Sequence, residues 1–197
     1  VTVDRRNPDG KPRCAWLGDT PAMLAYHDRE WGVPVRRDKP LFAKLILDGF
    51  QAGLSWAIIL RKRDAFLEAF DGFDPDRMAR YSTARSRRLL ADPGIVRNRQ
   101  KIDSAIANAR AFLDMREAGQ RFGPFLWSFV EGEPKQNRWR SLRQIPATSP
   151  ESERMSKALI ERGFRFVGPT ICYAFMQAVG MVNDHIVSCY RHEELRR

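Results

Sequence analysis

Two cysteines and two histidines could together hold a metal ion. Cys14 and His27 lie toward one end of the chain, with twelve residues between them. His185 and Cys189 lie toward the other end, with three between them. The chain has only three Cys and three His, so most of its Cys and His fall into this arrangement. If residues 184–195 are helical, His185 and Cys189 share a helix face, because side chains four apart do. Two Cys and two His make the closed tetrahedral set that structural zinc prefers. Such a site would clip an N-terminal arm to a C-terminal helix. The spacing matches no standard zinc-ribbon pattern. Cys is also a common small buried hydrophobe, and a histidine can be a hydrogen-bonded core group. Spacing alone leaves both readings open.

Charge is the second source of chemistry. The formal net charge is +10, which favours a polyanionic partner, nucleic acid or an anionic membrane. The cations are mostly Arg and are dispersed. Arg61, Lys62 and Arg63 form one group, Arg85, Arg87 and Arg88 another, Arg97, Arg99 and Lys101 a third. A solvated basic surface would have the same composition. No run of about 18 apolar residues exists, so no membrane-spanning helix is expected. Residues 1–13 are polar and do not resemble a signal peptide. The third cysteine, Cys172, sits in an apolar stretch and reads as core. Three cysteines without a secretory signal suggest a reducing compartment.

These residues must be positioned by helices, because helix signals recur and strand signals do not. At 197 residues and 43% hydrophobic content the chain can bury one good core. Thr20-Pro21 reads as N-cap and first helical residue. Asp38 is expected to cap a helix with Leu41, Phe42, Leu45 and Ile46 on its apolar face and Gly53 at its end. Ser55 is expected to cap a third helix, and Asp74-Pro75 to start a short one. Asn98 leads into a long amphipathic helix carrying Ile102, Ile106, Ala109 and Phe112. A further buried helix is expected over residues 125–130, then a polar surface loop over 131–149. Ser149-Pro150-Glu151 opens a helix ending near Arg162-Gly163. A tight connection follows, and Pro169-Thr170 begins an apolar helix. Gly168 and that helix N-terminus could offer N–H groups to a phosphate.

Three segments together resemble the 3-methyladenine DNA glycosylase I family of the helix–hairpin–helix glycosylase superfamily. The first is Arg13-Cys14-Ala15-Trp16 with Ala25-Tyr26-His27-Asp28-Arg29-Glu30-Trp31-Gly32-Val33-Pro34. The second is Gln51-Ala52-Gly53-Leu54-Ser55-Trp56. The third runs from Arg162-Gly163-Phe164-Arg165-Phe166-Val167-Gly168 to Val182-Asn183-Asp184-His185. The resemblance implies an all-α helix–hairpin–helix fold. It implies a polar extension over residues 1–12, a helical domain over 13–190 with the hairpin unit at about 150–180, and a tail over 191–197. It implies a structural zinc held by Cys14, His27, His185 and Cys189. It also implies a cytoplasmic, nucleoid-associated bacterial protein that acts on double-stranded alkylated DNA as a monomer and releases free 3-methyladenine.

An enzyme acting on a base in duplex DNA must extrude that base. Leu54, beside Gly53, is a candidate apolar wedge. Tyr26, Trp56 and Trp16 could line an aromatic pocket with Gln51. A methylated, cationic purine is attracted to aromatic faces and to a carboxylate. Asp48 could supply that carboxylate. The family carries Glu at this position, and Asp falls short by about 1.5 Å of reach. Aligned on His185, Asn183 takes the place where most helix–hairpin–helix glycosylases carry a catalytic Asp, and it is counted with the base pocket. A neutral Asn is tolerable there only for an activated leaving group. Residues 164–169 contain no Lys, so no Schiff-base nucleophile is evident there. Lys157, Arg162 and Arg165 are the expected phosphate contacts. The reading is a monofunctional glycosylase for 3-methyladenine. The alternatives are a glycosylase for another alkylated base and a non-catalytic, zinc-stapled DNA-binding module.

Overall fold

The computed structural model describes residues 9–18 and 20–196. Most of the expected 1–12 extension, and the last residue of the expected tail, lie outside the described residues. Helices form where the capping chemistry predicts them. Pro21–Arg29 (α1) starts at Thr20, whose side chain accepts from the Met23 N–H. Asp38–Gln51 (α2) is the central element. Its N-cap is Arg37 and not Asp38. Asp38 sits in the first turn, and its carboxylate instead accepts from the Gly123 N–H at 2.9 Å.

The expected third helix is two. Trp56–Arg61 (α3) follows Ser55, which occupies the N-cap position without a side-chain bond. Arg63–Ala69 (α4) is separated from it at Lys62. Pro75–Met78 (α5) is capped by Asp74, which accepts from two backbone N–H groups. Thr83–Ala91 (α6), capped by Ser82, carries the Arg85, Arg87 and Arg88 group. Arg99–Glu117 (α7) is the long amphipathic helix, capped by Asn98. Phe122–Trp127 (α8) begins earlier than expected and runs into a short 3-10 turn. Pro150–Glu161 (α9) opens with a capping box between Ser149 and Ser152. Pro169–Ala178 (α10) follows α9 after a tight connection.

The ends of the chain depart from expectation. Residues 184–195 are not one helix. The last helix is only Tyr190–Glu194 (α11), with Cys189 at its N-cap. His185 lies in the loop before it. The 131–149 segment is largely irregular but contributes one short strand. Lys135–Gln136 (β1) pairs in parallel with Val182–Asn183 (β2), in register Lys135 with Val182.

The core forms around α2, which packs against α3, α7, α8 and α10. Leu41, Phe42, Leu45 and Ile46 recur at helical spacing and are all buried. Phe42 meets Phe112 of α7 at 5.1 Å between ring centroids, and Phe112 meets Phe122 at the same distance. Burying each such side chain stabilises the fold by about 1.5–3 kcal/mol. The other face of α2 carries Lys44, Asp48 and Gln51 away from this core. Gly180 lets the residues after α10 approach the N-terminal segment. Its φ is +73°, and an added Cβ would stand 2.6 Å from the Gly32 carbonyl oxygen. No helix of the described residues is long and apolar enough to cross a membrane.

Candidate active site

A cavity of about 410 Å³ opens between α1, α2, α3 and α10. Trp16, Tyr26, Trp31 and Trp56 supply its aromatic walls, and Asp48, Gln51, Tyr173 and Gln177 its polar groups. Tyr26 and Trp56 lie 5.2 Å apart in a tilted pair, and Trp16 meets Trp31 edge-on at 4.9 Å. The indole N–H groups of Trp16 and Trp56 are buried without partners. So is one carboxylate oxygen of Asp48, Oδ2. Three unsatisfied polar atoms around one cavity are expensive unless a ligand takes them. Burial, with the nearby Asp48 charge adding to it, pushes the Tyr26 phenol well above its usual range, so it remains a neutral hydroxyl.

The other Asp48 oxygen, Oδ1, is held by Lys44 one helical turn away. The Lys44 ammonium also lies 4.0 Å from the centre of the Trp56 ring. Lys44 lines the cavity, and no sequence signal singled it out. Burial pushes the Asp48 carboxyl up and the Lys44 ammonium down, and the attraction between them opposes both shifts.

A second buried carboxylate stands behind the cavity. Asp184 is fully buried. It accepts from the Tyr173 hydroxyl at 2.7 Å and Gln177 Nε2 at 2.8 Å. It also accepts from Asn137 Nδ2 at 2.6 Å and Trp139 Nε1 at 2.7 Å. Tyr173 and Gln177 sit four apart on one face of α10. Asn137 and Trp139 belong to the irregular 131–149 segment. Asp184 therefore ties that segment to α10, and Leu142, Ile145, Pro146 and Ala147 of the same segment become a cavity wall. Asn183 is placed elsewhere. Its amide donates to Gln136 Oε1 and to the His192 carbonyl, and it is absent from the cavity lining. The expected base-pocket role of Asn183 does not match this placement, because the β1–β2 pairing points it at other partners.

Beside the cavity, Cys14, His27, His185 and Cys189 converge. All four are buried, and their donor atoms lie within 4.8 Å of one another. His185 Nδ1 is 3.4 Å from Cys189 Sγ and 3.7 Å from Cys14 Sγ, and His27 Nε2 is 3.5 Å from Cys189 Sγ. The Cys189 thiol is held well below its usual range, first by the Cys14 thiol and then by the two imidazoles, against its burial. Cys14 is pushed up correspondingly by Cys189 and by burial. Each imidazole is oriented from behind. His27 Nδ1 pairs with Asp28 Oδ1 at 2.8 Å, and His185 Nε2 meets the Trp31 carbonyl at 3.1 Å. Arg13 in turn grips Asp28 at 2.8 Å. A metal-binding imidazole is commonly oriented by such partners, so the cluster is compatible with one metal ion.

Comparison with known proteins agrees with this geometry. The family model for methyladenine glycosylases matches residues 16–192. The chain belongs to the methyladenine glycosylase family. DNA-3-methyladenine glycosylase 1 of Escherichia coli (strain K12) is 48% identical over 177 residues, 90% of this chain and 95% of that protein. DNA-3-methyladenine glycosylase of Haemophilus influenzae is 42% identical over the same share of this chain and 96% of its own. A crystal structure of 3-methyladenine DNA glycosylase I superposes with a TM-score of 0.90 at 49% identity, covering 91% of this chain and 98% of the other.

Of the remaining expected site residues, only Gln51 lines the cavity. Gln51 and Trp56 line it and flank the turn holding the exposed Gly53 and the half-buried Leu54. Gly53 has φ +75°, which favours glycine. The turn is fixed from beneath. Gln51 Nε2 donates to the Leu54 carbonyl at 2.6 Å, and Lys101 Nζ donates to the Phe50 and Ala52 carbonyls at 2.8 and 2.6 Å. Lys101, expected among the basic surface groups, is a buried clamp for the end of α2.

Across the cavity, Thr170 lines it just after Gly168. The hairpin is held by Asn108, which accepts from the Arg165 N–H at 2.7 Å and donates to its carbonyl at 3.0 Å. That clamp leaves the Arg165 side chain exposed, in a polar hollow with Arg99 and Arg110. Lys157 is exposed on α9. Arg162 is more committed: its guanidinium lies over Phe125 and donates to the Ala158 carbonyl.

Proposed function

We propose that this chain is a DNA repair enzyme that hydrolyses the N-glycosidic bond of 3-methyladenine in alkylated double-stranded DNA, without cutting the strand. The carrying observation is the cavity that combines the Tyr26 and Trp56 rings with the buried carboxylate of Asp48. A cationic methylated purine is attracted to both. Adenine without the methyl group is neutral and gains neither attraction. Leu54 enters the duplex as the base leaves it. Because methylation has already made the base a good leaving group, the chain needs to bind the departing base and orient it more than to protonate it. Asp184, held by four hydrogen bonds, fits that light demand. A bare DNA-binding module has no need of this cavity.

The test is single-turnover incubation with methylated duplex DNA. Free 3-methyladenine should be released, the strand should remain uncut, and hypoxanthine, a neutral lesion, should be left almost untouched. Removal of hypoxanthine at a comparable rate would overturn the activated-leaving-group mechanism. The related 3-methyladenine DNA glycosylase I solved in complex with 3-methyladenine is 34% identical, with a TM-score of 0.87 and coverage of 90% of this chain and 96% of that one, and it supports this choice of base.

We assign the Cys14, His27, His185 and Cys189 cluster to a structural zinc ion. Tetrahedral Zn–S and Zn–N bonds of about 2.3 and 2.0–2.1 Å place sulfur and nitrogen about 3.5 Å apart. The observed separations of 3.4–3.7 Å fit that requirement. Four protein donors close the coordination sphere, so the ion would staple the fold and take no part in bond cleavage.

We assign Arg165 to a phosphate contact, together with Lys157 and the Gly168 N–H region. Arg165→Ala should weaken binding to all sequences alike and reduce the salt slope by about one. Titrations at several salt concentrations would show this, and an unchanged slope would remove Arg165 from the DNA contacts.

A further inference from the structure

We propose that Lys44 is a specificity residue, an internal cation that holds the base site until a cationic base displaces it and that takes the site back from the neutral product. The inference rests on reading the cavity as the base site.

Lys44 makes the two contacts a cationic purine would want. Its ammonium is bonded to Asp48 Oδ1 and lies 4.0 Å from the centre of the Trp56 ring. An incoming base therefore meets a carboxylate already neutralised and an aromatic face already in use. Only a ligand carrying its own positive charge can replace both contacts at once.

Lys44 also has somewhere to go. It stands in the wall between the base cavity and a second hollow of about 370 Å³, lined by Tyr26, Glu30, Leu47 and Arg63 among others. The Glu30 carboxylate, paired with Arg63 at 2.6 Å, offers a second acidic partner there. The flexible four-carbon stem of a lysine permits such a swing.

Bond cleavage then reverses the competition. The bond between N9 of the base and C1′ of the sugar breaks with its electron pair passing to N9. The positive charge leaves the base and passes to the sugar. Water adds to C1′ and releases a proton to solvent. The base is now neutral and has lost the charge that let it compete with Lys44. The ammonium returns to Asp48 and Trp56, and the product is expelled.

The experiment compares wild type, Lys44→Met and Lys44→Arg. Calorimetric titration with free 3-methyladenine is run in mildly alkaline buffer, where the free base is neutral. Lys44→Met should bind it about tenfold more tightly or better. Its steady-state turnover should fall below its single-turnover rate, because release becomes slow. Lys44→Arg keeps the charge and should bind product as weakly as wild type. Should Lys44→Met fail to fold, Lys44→Gln, which keeps a donor to Asp48 without the charge, carries the same comparison. Unchanged or weaker product affinity in the neutral variant, or equal tightening in Lys44→Arg, overturns the role of Lys44. Failure of the wild type to excise 3-methyladenine overturns the glycosylase reading itself, and the role of Lys44 falls with it.

Discussion

Cys189→Ala is expected to yield protein without zinc and with a melting temperature lower by about 10 °C or more. Structural zinc sites bind with an apparent free energy of about 10–16 kcal/mol, and that energy is available only to the folded site. A quarter of it, about 3–4 kcal/mol, already moves the midpoint of a chain this long by about 10 °C, at about 2–4 °C per kcal/mol. Cys172→Ala is the internal control. Cys172 is equally buried but donates to the Val167 carbonyl at 3.2 Å and lies outside the cluster. It should keep about one zinc per chain. Metal analysis beside thermal unfolding reads both. Stoichiometric zinc in Cys189→Ala, or none in the wild type, would end the assignment.

Asp184→Ala should cost more in function than in fold. It strands four donors at once, from Asn137, Trp139, Tyr173 and Gln177. Leaving buried donors unsatisfied costs about 1–3 kcal/mol each when they cannot reach water. Asn137 and Trp139 lie in an irregular segment that can move toward solvent, so a total of about 3–5 kcal/mol is expected, the range seen when one partner of a buried charge network is removed. Freed of its anchor, the 142–147 wall no longer closes the cavity, and excision should fall by two orders of magnitude or so. Asp184→Asn keeps the size but turns a donor toward donors, and it should show most of the same loss. Single-turnover excision at a temperature where the variant stays folded separates the two effects. Wild-type rates in Asp184→Asn would show that the anchor does not shape the site.

Much of the molecule is legible in its sequence, and the reason differs from part to part. The helices announce themselves through caps: Thr20-Pro21, Asp74-Pro75 and Ser149-Pro150 combine a side-chain acceptor with a first-turn proline, and Asn98 supplies the acceptor alone. The metal set is legible because Cys and His are rare in this chain. His185 and Cys189 lie before the last helix and not on it. A helix would align them, but the turn that carries the Cys189 N–H to the Ile186 carbonyl aligns them equally well. Asp38 illustrates a limit of local rules, since a residue suited to a cap was drawn to a donor 85 positions away.

The parts that sequence concealed are those defined by distant partners. Lys44 is one of 34 basic residues, and nothing in its neighbours marks it as the one inside the cavity. Asp184 lies beside His185, next to Asn183, and position along the chain does not reveal which of these side chains turns inward. The cavity wall at 142–147 has no periodicity to betray it. Leu142 and Ile145 are half-buried in the segment that Asp184 ties to α10.

The clip between Cys14 and Cys189 also fixes when the enzyme can become active. Cys14 and His185 are 171 positions apart, so the first half of the cluster leaves the ribosome long before the second half is made. Synthesis at about 5–20 residues per second separates them by roughly 10–30 seconds. Through that interval the contacts between α2 and α7 can form, since both helices are complete by residue 117. Tyr26 can meet Trp56 in this interval, but the cavity they line lacks its α10 wall, and Cys14 and His27 lack His185 and Cys189, until the C-terminal segment arrives. The base cavity is thus the last part of the molecule to be born, and a nascent chain cannot take up a base before its fold is closed.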